Sequence, residues 1–358
     1  MEIKTITCHD VYNAGASLQA YALYTYLKKL GHEVEIIDYK PDYLSNHYSF
    51  TSINPDYNKA ILKQLYILAK FPTRLKAYLG KRKKNFDDFK HEYLQVTEIQ
   101  YHSNIELKQN PPSADIYFAG SDQIWNPLFE NGKDPAFYLD FAPEKSIRAS
   151  YAASFAVDKI PDILIEQTKV YLSNFDYISV RESSALEILE SLGFSNCFHV
   201  CDPVFLLDKQ EWEKLTFKIS DDYLLIYDFD NSDQIRQIAM KVAEEKGLKI
   251  FSVFKLSYAD KCFLEEGPLG FLSLVKNAKF VISNSFHATA FSIIFNVPFC
   301  VMNRNEGINA RMADLLKAFS LSSFNEELDG NDLNNKIKKY ANNSKNYLNS
   351  VINSSKRN

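Results

Sequence analysis

Residues Glu2–Asp38, EIKTITCHDVYNAGASLQAYALYTYLKKLGHEVEIID, decide how the chain is read. Glu2 to Thr7 alternates polar and apolar residues with period two, which suits a half-buried strand. Ala16 to Leu30 carries apolar residues at helical spacing and stops at Gly31, the residue type that most easily closes a helix. Glu33 to Asp38 reads as a second strand. Strand, helix and strand in this order make a βαβ unit with parallel strands, so the fold class is α/β. The loop Cys8–Gly15 then falls at the carboxyl edge of the sheet, where open α/β folds bind their ligands.

From about 43 to 110 no strong strand pattern follows, and two apolar-periodic, Lys-rich stretches predict a helical insertion. Between Lys70 and Lys84, Lys and Arg alternate with Ile67, Leu68, Phe71, Leu75, Tyr78 and Leu79. This basic amphipathic segment suits either a solvated helix face or docking on an anionic membrane surface. The sheet resumes at Asp115–Ala119 and Phe175–Val180, with a helix from Ser184 to Leu192 ending at Gly193. A fresh alternation starts at Tyr223: strand to Tyr227, helix Gln234–Lys246, then strand Lys249–Phe254. The expected organisation is two Rossmann-like domains, 1–206 with the insertion and 207–335, divided at the Pro-bearing stretch around Asp202–Asp208. A polar, Asn-rich segment, 336–358, closes the chain as a docking helix and frayed tail.

The chain's 358 residues exceed what one core usually organises, which supports two domains. Lys and Arg total 41 against 45 Asp and Glu, a net charge of −4, so no global field attracts nucleic acid. The N-terminus begins as a strand without the apolar core of a signal peptide, which predicts a cytoplasmic protein, with peripheral contact at the inner membrane face as a further expectation. Five cysteines without a paired CxxC arrangement argue against a disulfide framework and a zinc site. No metal and no tightly bound cofactor is expected. Walker, GxGxxG, GxSxG and HExxH patterns are missing from the sequence, which leaves nucleotide hydrolysis, dinucleotide redox chemistry and zinc proteolysis without support.

Two stretches carry candidate chemistry. Lys279–Ala290 reads as a buried strand, a turn with Asn284, Ser285 and Phe286, and a helix start capped by Ser283 or Ser285. His287 then sits in a first helical turn, where free N–H groups and the helix dipole attract an anion and disfavour imidazolium. Taken alone, such a histidine is more often structural. The second stretch, Gly120-Ser121-Asp122-Gln123-Ile124-Trp125-Asn126-Pro127, follows an apolar strand. It gathers polar groups in one loop, with Trp125 as an apolar wall for a sugar ring or as a core residue. Asp228-Phe229-Asp230 matches the acidic triplet of metal-dependent glycosyltransferases, but helix capping explains both carboxylates.

The Gly120–Pro127 run resembles the signature loop of polysaccharide pyruvyl transferases. Asn13-Ala14-Gly15-Ala16-Ser17-Leu18-Gln19, Ile178-Ser179-Val180-Arg181-Glu182 and Asn284-Ser285-Phe286-His287 are similar to the same family in the same order. The resemblance implies two Rossmann-like domains facing across a cleft, as in GT-B glycosyltransferases, with phosphoenolpyruvate as co-substrate. It also implies a sugar acceptor, free or undecaprenyl-linked, in surface-polysaccharide assembly. It makes His287 the proton-transfer residue and Arg181 a fork for carboxylate or phosphate, with a salt bridge to Glu182 as the structural alternative. Asn284, Ser285 and Phe286 would line the donor side. Asn13, Gly15, Gln19, Gly120, Ser121, Asp122, Gln123, Trp125 and Asn126 would line the acceptor side. Similar sequences often carry an arginine where this chain has Ser285, so the missing cation is expected from Arg311, with Arg304 second. A glycosyltransferase using a nucleotide sugar and a catalytically decayed glycan-binding relative are the rival readings.

Overall fold

The computed structural model describes residues 1–44, 48–51, 60–304 and 310–354, apart from the side chains at 60–63 and 65. Parts of the expected insertion, 45–47 and 52–59, and the expected tail at 355–358 lie outside the described residues.

The opening unit forms as β1 (Glu2–Ile6), α1 (Ala14–Lys29) and β2 (Glu33–Tyr39). The helix starts two residues earlier than its apolar periodicity suggests, because Asn13 caps it by accepting from Ala16 N at 3.2 Å. Gly31 follows it at φ +85°. The insertion holds α2 (Ala60–Tyr78) and α3 (Lys81–Tyr93) but is not all helix. It ends in β3 (Val96–Tyr101), which pairs in parallel with β2. With α4 (Asn104–Gln109), β4 (Ile116–Ala119) and β5 (Ile147–Ser150) the first sheet is complete, ordered β3-β2-β1-β4-β5. After α5 (Ile165–Leu172), the parallel pair β6 (Ile178–Val180) and β7 (Cys197–His199), separated by α6 (Ser183–Ser191), continues from β5. Bridges Ala149–Tyr177 and Ala153–Val180 make the link.

A short α7 (Lys209–Glu213) precedes the second sheet. Its elements are β8 (Tyr223–Tyr227), α8 (Asp233–Lys246), β9 (Lys249–Ser252), β10 (Lys261–Cys262), α9 (Pro268–Asn277), β11 (Phe280–Ser283), α10 (Phe286–Phe295), β12 (Phe299–Val301), α11 (Ala310–Phe319) and β13 (Phe324–Asn325). The order is β10-β9-β8-β11-β12-β13, parallel except for β13. Near-continuous apolar runs such as YLLIY and FVIS belong to central strands covered on both faces. In each sheet the chain reverses its direction of build-up beside a central strand, between β1 and β4 and between β8 and β11. Such switch points open a crevice at the strands' carboxyl ends.

The last helix, α12 (Gly330–Ser354), is 25 residues long and returns to the first sheet. Its buried residues include Ala341, Ser344, Leu348, Val351 and Ile352, spaced as one helical stripe. Tyr347 donates its hydroxyl to Ser150 O at 2.9 Å, and Ser344 Oγ accepts from Cys201 N at 2.8 Å. The expected docking helix forms, and this stripe is its docking face. Leu348→Ala, at a fully buried position, is expected to lower unfolding free energy by about 2–5 kcal/mol. Leu79→Ala, on the exposed surface, should stay within about 0.5 kcal/mol of the parent. Urea denaturation of the two variants checks the contrast.

Candidate functional site

Both switch points contribute to one cavity of about 310 Å³. The first sheet supplies Asn13, Gly15, Asp122 and Gln123; the second supplies Phe229, Asn284, Ser285, Phe286 and His287, with Arg304 and Arg311 from beyond β12. Two helices aim their N-termini into it. Asn13 caps α1, and Ser285 caps α10 by accepting from Ala288 N. Two first turns therefore present unpaired N–H groups and positive dipole ends to the same space.

His287 stands in the first turn of α10 with its side chain 12% exposed. Its Nε2 is buried and lies 3.5 Å from Asp202 Oδ2, an ion-pair separation rather than a hydrogen bond. A carboxylate there favours the proton on Nε2 and leaves Nδ1 as the basic nitrogen, on the side of Gly15. Gly15 is required at that point: a Cβ added to it would lie 2.1 Å from His287 Nδ1. The imidazole of one domain thus rests on the bare backbone of the other.

Asp202 is fully buried and was not foreseen as a site residue. It accepts from Arg181 Nη1 at 2.6 Å and from Val204 N at 3.1 Å. Burial by itself would raise its pKa; His287 first, then Arg181 and the Val204 N–H, hold it below the ordinary carboxylate value. Arg181, expected to grip the ligand, is instead only 2% exposed and held by Asp202 and by Asp122 at 3.4 Å. Burial works against its charge, and those two carboxylates restore it. The alternative bridge to Glu182 is not made either. Glu182 Oε1 accepts from Ser154 Oγ and from the backbone N–H groups of Phe155 and Ala156 at 2.9–3.1 Å.

Arg311 reaches the cavity. It is 9% exposed, and among the described residues no hydrogen bond or ion pair holds its guanidinium. Burial, then repulsion from Arg181, pulls its pKa down to about 10, which still leaves it charged at neutral pH. Both guanidiniums face the Phe286 ring, at 5.0 Å for Arg181 and 5.9 Å for Arg311. Arg304 also lines the cavity, 3.8 Å from Asp230 and over the Phe229 ring.

The signature loop divides between lining and support. Asp122 and Gln123 face the cavity. Trp125 does not form its wall: it is fully buried, stacks on Tyr138 and donates Nε1–H to Phe137 O at 3.0 Å. Asn126 is buried and donates to Gln123 Oε1. Ser121 and Gln19 are buried as well, and Ser121 N donates to Gln19 Oε1 at 3.2 Å, tying the loop to α1. Gly120, at φ +125°, passes so close to Tyr151 that an added Cβ would lie 2.1 Å from its carbonyl oxygen. These five residues shape this side of the cavity without lining it. Asp228, read as a helix cap, instead accepts from Asp230 N, Ser232 N and Asn284 Nδ2, while Ser232 caps α8. Among the described residues His9, Asp10 and Asp38 bring potential metal-ligand atoms within 4.8 Å of one another, but Lys40 and Lys90 already pair with Asp10.

The family model described as polysaccharide pyruvyl transferase matches residues 13–306, a span that contains every residue of this cavity but Arg311 and Met312. The chain belongs to the polysaccharide pyruvyl transferase family. It is 24% identical over 259 residues to General stress protein 30 of Bacillus subtilis (strain 168), covering 69% of this chain and 75% of that one. A solved structure described as a UDP-N-acetylglucosamine 2-epimerase from Listeria monocytogenes aligns over 97% of this chain and 89% of its own at 10% identity, with a TM-score of 0.53. The UDP-GlcNAc 2-epimerase of Methanocaldococcus jannaschii aligns over 96% and 93% at 13% identity, with a TM-score of 0.48. The Listeria likeness and the two sheets define a GT-B-like fold, two Rossmann-like domains facing across a cleft.

The depressed pKa of Asp202 sets a pH dependence. Its ion pairs contribute stability that is complete above the unfolded value of 3.8 and is lost as pH falls toward the lower folded value. Asp202→Asn leaves Arg181 buried without its nearest counter-charge and is expected to cost about 3–5 kcal/mol at neutral pH. The gap to wild type should narrow toward about pH 2. Urea unfolding of both proteins across that range measures it.

Proposed function

We propose that this chain transfers pyruvate from phosphoenolpyruvate to a pair of hydroxyls on a hexose, free or lipid-linked, forming a pyruvate ketal during surface-polysaccharide assembly. The observation that carries this reading is the convergence on one cavity beside His287 of two helix N-termini and of the Arg311 guanidinium, which has no partner among the described residues. A small donor with both a carboxylate and a phosphate matches that electrostatics, and family membership supplies the transferase class.

In the reaction the donor's methylene carbon takes a proton and becomes a methyl group. A first sugar hydroxyl attacks the central carbon, a second closes the ketal, and inorganic phosphate leaves. One hydroxyl proton balances the methyl group and the other leaves with phosphate. His287 moves a proton at Nδ1, with Asp202 fixing its tautomer and Arg181 fixing Asp202. Arg311 and the first-turn N–H groups of α1 and α10 bind the anionic groups and stabilise charge on the departing phosphate. Asp122 and Gln123 face the acceptor from the other domain.

Phosphoenolpyruvate should raise the melting temperature and nucleotide sugars should not. The reverse pattern would favour the glycosyltransferase reading, and donor binding without phosphate release on any glycan acceptor would favour the decayed relative. His287→Gln and Gly15→Ala are each expected to slow phosphate release by about 10²–10⁴-fold with melting temperature retained, the second because its methyl displaces the imidazole. Arg311→Ala should raise the KM for phosphoenolpyruvate and also lower turnover, because the guanidinium both binds the donor and stabilises the departing phosphate. Unchanged turnover in His287→Gln would remove the proton-transfer role.

A further inference from the structure

Helix α2 and the turn that follows it present to solvent what a soluble helix normally hides. Leu68 is 69% exposed and Leu79 72%, and Phe71, Leu75 and Tyr78 are exposed beside them. At 100° per residue these five positions fall on one stripe about 100° wide. A helix that was only solvated would carry polar residues there. Monomeric soluble proteins rarely leave contiguous apolar surface of this kind unless something covers it.

Charge identifies the cover. Between Ala60 and Phe86 lie eight of the chain's 41 Lys and Arg and none of its 45 Asp and Glu, although the chain as a whole carries a net −4. Lys70, Lys76, Lys81 and Lys84 are exposed along the helix and at the start of α3, and of these Lys84 pairs with Asp88. Two copies of so basic a face would repel each other. An apolar stripe flanked by ammonium groups fits the boundary between acyl chains and phosphate headgroups. No helix among the described residues is long and apolar enough to cross a membrane, so the contact is with a surface.

The hairpin is rooted at the cleft. Arg82 donates to Tyr12 O at 3.1 Å, and Asn85 donates across to Glu265 O of the second domain at 2.8 Å. Beneath them a side cavity of about 80 Å³, walled by Tyr12, Arg82, Phe86 and Phe263, shares Asn13, Tyr227, Phe229 and Phe271 with the main cavity. We infer that α2 docks the protein on an anionic lipid surface through the Leu68–Leu79 stripe and its flanking lysines, holding the cleft within one helix length of the headgroups. This goes beyond the proposed reaction and does not depend on it.

Co-sedimentation of the full chain with vesicles of equimolar phosphatidylglycerol and phosphatidylcholine, against phosphatidylcholine alone, tests it. Wild type should pellet at least about tenfold better with the anionic vesicles, and less as salt is raised. Leu68→Ser/Leu79→Ser and Lys70→Gln/Lys76→Gln should each lose that pelleting while circular dichroism and melting temperature match wild type. Four results would overturn the inference: wild type left in the supernatant, equal pelleting with both lipids, pelleting unchanged by either double variant, or a vesicle-free dimer that Leu68→Ser/Leu79→Ser abolishes.

Discussion

A single buried carboxylate organises this molecule. Asp202 sits in the segment that leads from the first domain to the second, and it faces Arg181 from one and His287 from the other. Neither the carboxylate nor Arg181 would be tolerable alone at this depth, because an unpaired ion in a low-dielectric interior is strongly unfavourable. Each makes the other possible. The pair then presents His287 a fixed negative charge on its buried edge, so the position and tautomer of the imidazole depend on contacts made far from it in the sequence.

The same arrangement explains why one arginine is held and another is open. Asp202 and Asp122 compensate Arg181, which supports Phe286 and the loop above it. Arg311 approaches the same ring from α11 without a counter-ion of its own among the described residues. Binding an anion relieves that imbalance, and the two helix N-termini add to the attraction without any side chain being spent on it. Ser285 serves α10 as its cap, so the cavity takes its guanidinium from a neighbouring helix.

How much of this was legible in the sequence depends on the distance over which each signal acts. The βαβ opening, Gly31 and the return of strand patterning at Tyr223 are local, and they specified two α/β domains correctly. The Ser285 cap of α10 and the cavity positions of His287, Asn284, Asp122 and Arg311 were legible too. β3 was missed because Glu98, Ile99 and Gln100 are exposed, leaving too few buried positions to set a period. Trp125 was misplaced as a cavity wall because a motif records that an aromatic is present, not which way it points, and the Phe137 carbonyl that anchors it lies on another turn. Asp202 read as part of the boundary between the domains. Its partners lie at 181 and 287, and only folding brings them together. The docking helix α12 was expected, but intervening asparagines hid which residues form its stripe, Ala341, Ser344, Leu348, Val351 and Ile352.

The return of α12 to the first sheet bears on how the two halves are held together. The chain crosses between them once through the segment at Asp202–Asp208 and again through this helix, anchored by Tyr347 on Ser150 and Ser344 on Cys201. With the hydrogen bonds of Asn85 to Glu265 O and of Ser183 to Asp314, and with one apolar core running through both halves, these crossings keep the bare backbone at Gly15 in register with the imidazole of His287.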